Sequence, residues 1–279
     1  MAIVFQTTFS DANCAEWTQA DGLGDAAVCQ TGDGIQGNGG WTASPGAVED
    51  KITAAANMAA GGGGKGFRHA VGDGLNNVGG GARLSWSAVS EMWLRYYLRF
   101  QAGFAWGGGI INMKTIYSNV DASGTFYFGL HDGVVGGHIE NDTGFGDPSG
   151  NHHSTKTWAQ MQGGSTGDGL WHCLEIHTKM NPLAAVADGV IEFWLDGVLL
   201  YSNSGCKFAT SDGATWSGTL IGENSNDPQN GGTVAFVDFD DIAISDSGYI
   251  GPLSGGGGGG LVSAPPSARR MIGLVPMRQ

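Results

Sequence analysis

The chain has 279 residues, room for one large all-β domain or two small ones. Its 51 glycines and 8 prolines, with no collagen period, exclude a long-helix protein and point to many tight turns. A formal net charge of −13 argues against nucleic acid and anionic membrane surfaces as partners, and no apolar stretch approaches the roughly 20 residues of a membrane helix.

The opening MAIVFQTTFSDANC has no basic start, long apolar segment or small-residue cleavage site, so no secretory leader is expected. Cys14, Cys29, Cys173 and Cys206 include no CxxC pair, which argues against zinc held by cysteine. Cys14–Cys29 and Cys173–Cys206 are conceivable disulfides; without a leader, free thiols are the expectation.

In chain order, Ala47 to Ala60 is the single stretch that reads as a short helix. Gly61–Gly64 and Gly79–Gly81 precede no Lys-Ser/Thr and open no helix, so they are not phosphate loops. Glu91 to Phe100 alternates with period two. Met92, Leu94, Tyr96, Leu98 and Phe100 share one face, and Glu91, Trp93, Arg95, Tyr97 and Arg99 the other. Ile110–Tyr117 is a further strand, followed by Thr125–His131, with Phe126, Phe128 and Leu130 opposite Tyr127 and His131. His152-His153, in the polar run GDPSGNHHSTKT, reads as a solvated loop.

Trp171–Lys179 sets Leu174 and Ile176 against Glu175, His177 and Lys179. Val190–Ser202 sets Ile191, Phe193 and Leu195 against Glu192, Trp194 and Asp196. Asp188-Gly189 supplies turn chemistry between these two segments, and pairing Met180 with Gly189 makes Glu175 face Trp194 and His177 face Glu192. Thr219–Glu223 and Thr233–Ser245 close the set.

The body is expected to span residues 1–254. Residues 255–279 begin with six glycines and end in LVSAPPSARRMIGLVPMRQ. This tail carries +3; with −13 overall, the body carries −16. Met271, Ile272, Leu274, Val275 and Met277 make residues 261–279 an expected assembly arm onto a like or unlike subunit, the alternative being a plain linker end.

GLWHCLEIHTKMN followed by ADGVIEFWLDGVLLYS resembles the penultimate hairpin of concanavalin A-like lectin/glucanase sandwiches, above all their polysaccharide-lyase-like branch. EMWLRYYLRF resembles the central strand of the same sheet, and VAFVDFDDIAIS the last one. The resemblance covers residues 1–252 and implies an antiparallel two-sheet jelly roll with a glycan-holding groove on the concave sheet.

On that reading Trp93, Arg95, Tyr97, Arg99, Lys114, Tyr127, His177, Lys179, Glu192 and Trp194 line the groove. Flat rings suit the C–H faces of sugars and the cations suit carboxylate or sulfate, which implies an acidic glycan. The alternatives are an ordinary polar sheet face or a subunit interface.

The Glu-x-Asp-x-x-Glu strand of retaining glucanases is absent, and the register staggers Glu175 from Glu192. A lyase would use Arg95 to neutralise a uronate, with Tyr97 or His177 as base, but the Gln-Ile-His and Tyr-x-Lys-x-Gly-x-Tyr strings of alginate lyases are absent too. No cofactor is required. Asp11, Asp238, Asp240 and Asp241 are candidates for one structural calcium, or acids that protect a sheet edge. The leading expectation is a non-enzymatic, lectin-like protein of a virion or particle surface, or an extracellular one. A polysaccharide lyase or hydrolase and a purely structural subunit are the alternatives.

Overall fold

A computed structural model describes residues 2–10, 17–18, 27–31, 33–37, 51–58, 64–71, 78–79, 81–107, 111–120, 124–139, 150–222, 224–226 and 235–253. Asp11 and the tail 255–279, which carries the assembly-arm expectation, lie outside these residues. The strands are β1 (Ile3–Thr7), β2 (Trp17–Thr18), β3 (Ala27–Thr31), β4 (Asp33–Gly37), β5 (Lys51–Thr53), β6 (Gly66–Val71), β7 (Val78–Gly79), β8 (Ala82–Val89), β9 (Glu91–Phe100) and β10 (Asn112–Val120). They continue as β11 (Gly124–His131), β12 (Val134–Ile139), β13 (Asn151–Thr157), β14 (His172–Lys179), β15 (Gly189–Leu195), β16 (Val198–Cys206), β17 (Trp216–Ile221), β18 (Asn224–Asn226) and β19 (Ala235–Ser245).

Two antiparallel sheets stack as the expected jelly-roll β-sandwich. The first has the order β16-β15-β14-β9-β19-β6-β5-β2, with β1 also on β19. The second has the order β13-β12-β11-β10-β17-β8-β4-β3, with β18 also on β10 and β7 on β18. No helix among the described residues is long and apolar enough to cross a membrane.

The alternation of β9 drives this packing. Met92, Leu94, Tyr96, Leu98 and Phe100 are all buried between the sheets, each contributing about 1.5–3 kcal/mol of transfer energy. The Tyr96 hydroxyl meets Thr115 Oγ1 of the facing sheet at 2.7 Å, and that oxygen also donates to Phe128 O. Phe128 and Phe193 bring their rings to 4.6 Å across the same gap.

The β14–β15 register is the expected one, Glu175 opposite Trp194 and His177 opposite Glu192. The expected single strand 190–202 is two strands. Asp196 and Gly197 both take positive φ, 49° and 81°, the geometry of a tight hairpin turn, and β16 folds back onto β15.

The helix expected at 47–60 is not found among its described residues. Ile52 pairs with Phe67, and only Ala54–Ala56 curl, as a 3-10 turn capped by Thr53. The helix α1 (Trp158–Met161) lies elsewhere and starts on a capping box of Thr157 and Gln160. Cys173 and Cys206 are buried free thiols; Cys14 and the Cys29 side chain lie outside the described part.

Candidate functional site

Eight of the ten expected groove residues sit on the outer face of the first sheet, and the last described residues cover much of it. The chain leaves β19 and crosses β9 and β14 as a strap. Glu175 accepts from the amides of Ile250 and Gly251, each at 2.7 Å. Arg95 donates to Gly251 O and to Asp241 Oδ1. The amide of Leu253 donates to Tyr97 Oη at 2.7 Å, and Tyr249 packs against Trp194.

Arg95 and Tyr97, expected as a lyase's neutraliser and base, are therefore buried under residues 250–253. His177, the other candidate base, is buried between Glu192 (2.7 Å) and Glu91 (2.9 Å) with its ring flat on Trp93. Arg99 pairs with Asp238 and covers the Trp171 ring. Lys179 is exposed and reaches Glu91 at 3.8 Å.

The carboxylates expected around calcium are likewise engaged. Asp238 is held by Arg68 and Arg99. Asp240 accepts from the amides of Met58 and Asp241, and burial pushes its carboxyl up to about 7. Asp241 pairs with Arg95.

At the start of β14, His172 joins Asp196 (3.0 Å) to Asp168 (3.1 Å). Burial opposes its protonation, but the two carboxylates outweigh burial and raise its pKa. The clasp's stabilisation is therefore full below the unfolded value of about 6.5 and fades as pH rises through the higher folded value. His172→Gln is expected to remove that decline from a plot of melting temperature against pH; an unchanged profile would refute the clasp.

Lys114 and Tyr127 do not share the face with the other eight. β10 and β11 belong to the second sheet, where their outward residues meet those of β12 and β13 in rungs. Tyr117, Tyr127, His138 and Asn151 stand opposite one another across the four strands. The next rung is Lys114, Gly129, Gly136 and His153, and beyond it His131 faces Val134.

The second rung is a trough with a backbone floor. A Cβ at Gly129 would lie 2.2 Å from Met113 O, and one at Gly136 would lie 2.8 Å from His152 O, so neither position admits a side chain as the strands stand. Lys114 closes one end, its Nζ 4.8 Å from the centre of the Tyr127 ring and 5.0 Å from that of Tyr117. His153 closes the other, its Nε2 2.6 Å from His131 Nδ1. His138 stacks on Tyr127 and holds Asn151 Oδ1 through Nδ1, leaving Nε2 buried without a partner.

The His131 and His153 imidazoles are neutral near pH 7. Burial pushes His131 down to about 4; Asp132 opposes this, while His153, His138 and Lys114 add to it. Burial lowers His153 as well. The face thus presents one ammonium, two phenols and three imidazoles. Asp132 is the single acid among the described residues of β10–β13 and their turns.

His131, His138, Asn151, His153 and Tyr117 were missing from the expected set. His152-His153 is not a loop but part of edge strand β13, with His152 turned inward to Tyr201 and His153 outward. The run NHHSTKT alternates in burial, but its residues are all polar, so hydropathy shows no period.

No family model and no curated protein matches the chain. Among solved structures it is similar to a double mutant of an alginate lyase in complex with alginate trisaccharide, at 15% identity and TM-score 0.51, over 87% of this chain and 98% of that one. It is also similar to the endo-beta-1,4-glucuronan lyase of the fungus Trichoderma reesei, at 10% identity and TM-score 0.47, over 88% and 96% of the chains. A third is the binding domain of botulinum neurotoxin serotype D/C, at 14% identity and TM-score 0.43, over 66% of this chain and 41% of that one. The likeness to the alginate lyase agrees with the sandwich fold.

Proposed function

We propose that the outer face of the second sheet binds an acidic polysaccharide and cleaves it by β-elimination. The observation that carries this reading is Lys114 held over Tyr117 and Tyr127 at the head of a glycine-floored trough. The ammonium neutralises a uronate carboxylate, which makes the neighbouring C5 proton removable. One tyrosine, as its phenolate, takes that proton, the C4–C5 double bond forms, the C4–O4 bond breaks, and the other tyrosine's phenol gives its proton to O4. His138, whose Nδ1 is engaged by Asn151 Oδ1, presents an unpartnered Nε2 on the same rung.

Hydrolysis by paired carboxylates finds less support. It needs two acids about 5–10 Å apart, and the described part of β10–β13 offers Asp132 alone. A bare lectin would need neither the ammonium beside two phenols nor a row of imidazoles. The reading places the protein where such polymers lie, outside the cell or at a particle surface.

Incubation with alginate, glucuronan and a neutral β-glucan tests it. Ultraviolet absorbance from unsaturated ends is expected with a uronate polymer and not with the glucan. New reducing ends without absorbance would replace the reading with hydrolysis, and binding without cleavage would replace it with a lectin.

A further inference from the structure

We propose that His131, Asp132 and His153 form a site for one divalent transition-metal ion of the zinc type. The proposal is independent of the elimination chemistry, since it concerns what this corner of the sheet binds.

One ligand atom from each residue lies within 4.8 Å of the other two. His131 Nδ1 is 2.6 Å from His153 Nε2 and 3.5 Å from Asp132 Oδ2. Tetrahedral zinc with bonds of about 2.0–2.1 Å sets two ligand atoms roughly 3.3 Å apart. The observed gaps bracket that spacing, so small ring movements complete the site.

The fold brings the three together from separate places. His131 ends β11. Asp132 and Gly133, with φ of 51° and 78°, form the tight turn into β12 and return the carboxylate beside His131. A register shift between β12 and β13 sets His153 opposite Gly136. A Cβ on Gly136 would lie 2.9 Å from His153 Cδ2, so glycine is what lets this ring settle there.

The chemistry of the set selects the ion. Two imidazoles and a carboxylate suit zinc and its neighbours, whereas calcium and magnesium take oxygen ligands. Of the charges acting on His131, Asp132 favours a cation and Lys114 opposes one. Asp132 is more than half exposed, which gives the ion an entry path. A second observation on the same face points to a ligand: His138, 6.0 Å from His131 between ring centres and almost wholly buried, keeps Nε2 unpartnered. Three protein ligands leave a fourth position for water or an oxygen of a bound sugar.

The test is calorimetric titration of the chelator-stripped full chain with Zn²⁺, with the visible spectrum of the Co²⁺-loaded protein alongside. One ion per chain and intense cobalt bands of a low-coordinate nitrogen and oxygen site are expected. His153→Ala and Asp132→Asn are each expected to weaken binding by about 100-fold or more, because even outer-shell partners cost 10–100-fold. Should His153→Ala misfold, Asp132→Asn decides, since asparagine also accepts the left-handed turn backbone. No binding by the stripped protein, or equal affinity in Asp132→Asn, overturns the proposal.

Discussion

Lys114→Ala is expected to lower kcat/KM on a uronate polymer by at least about 100-fold, the usual scale for a group that stabilises charge at the reacting centre. Tyr127→Phe is expected to fall by about 10²–10⁴-fold, because it keeps the ring and deletes only the hydroxyl. Lys179→Ala removes the same charge as Lys114→Ala, but from the exposed rim of the other sheet, and is expected to leave cleavage unchanged. Steady-state kinetics on the three variants separates the two faces. A large loss in Lys179→Ala with full activity in Lys114→Ala would return the site to the first sheet.

Glu175→Ala is expected to cost about 3–6 kcal/mol of folding stability, the sum of two hydrogen bonds to a charged acceptor at about 1.5–3 kcal/mol each. Glu175 is 1% exposed, and its oxygens take the amides of Ile250 and Gly251. Without it those amides lose their partner, and Arg95 beneath the strap loses the nearby negative charge that balances it. For a chain of this size the loss corresponds to about 6–24 °C in Tm. A chain ending at Ser254 keeps every strap contact described and is expected to melt as the full chain does, whereas one ending at Ser245 is expected to show a loss of the Glu175→Ala kind. Calorimetry on the three proteins decides whether residues 246–253 are part of the folded body. Equal melting of all three would reduce the strap to a surface contact.

The strap explains why the first sheet looked like a binding face in the sequence. Trp93, Arg95 and Tyr97 alternate with core residues, and the pattern of β9 was legible to the residue because charges and aliphatics take strict turns. The β14–β15 register was legible for the same reason, with Asp188-Gly189 fixing its phase. What covers a face is a separate matter. SDSGYIGPL has no period and carries its message in backbone amides, which every residue but proline owns.

Alternation also reports only which residues of one strand share a side. It does not say which sheet the strand joins, and so the pattern alone groups Lys114 and Tyr127 with residues of the opposite layer. The rest of their site was hidden by chemistry. VVGGHI offers two glycines where a strand signal needs side chains, and NHHSTKT offers no apolar residue at all. Tyr117 and His131 were within reach, since both lie on segments read as strands, but their partners on β12 and β13 were not.

The most direct test of the account is the position of a uronate oligosaccharide in a crystal of the protein. A sugar carboxylate is expected at Lys114, with the oligosaccharide lying over Gly129 and Gly136 between Tyr127 and His153. An oligosaccharide seated instead over Trp93, His177 and Trp194, with the trough of the second sheet bare, would contradict it.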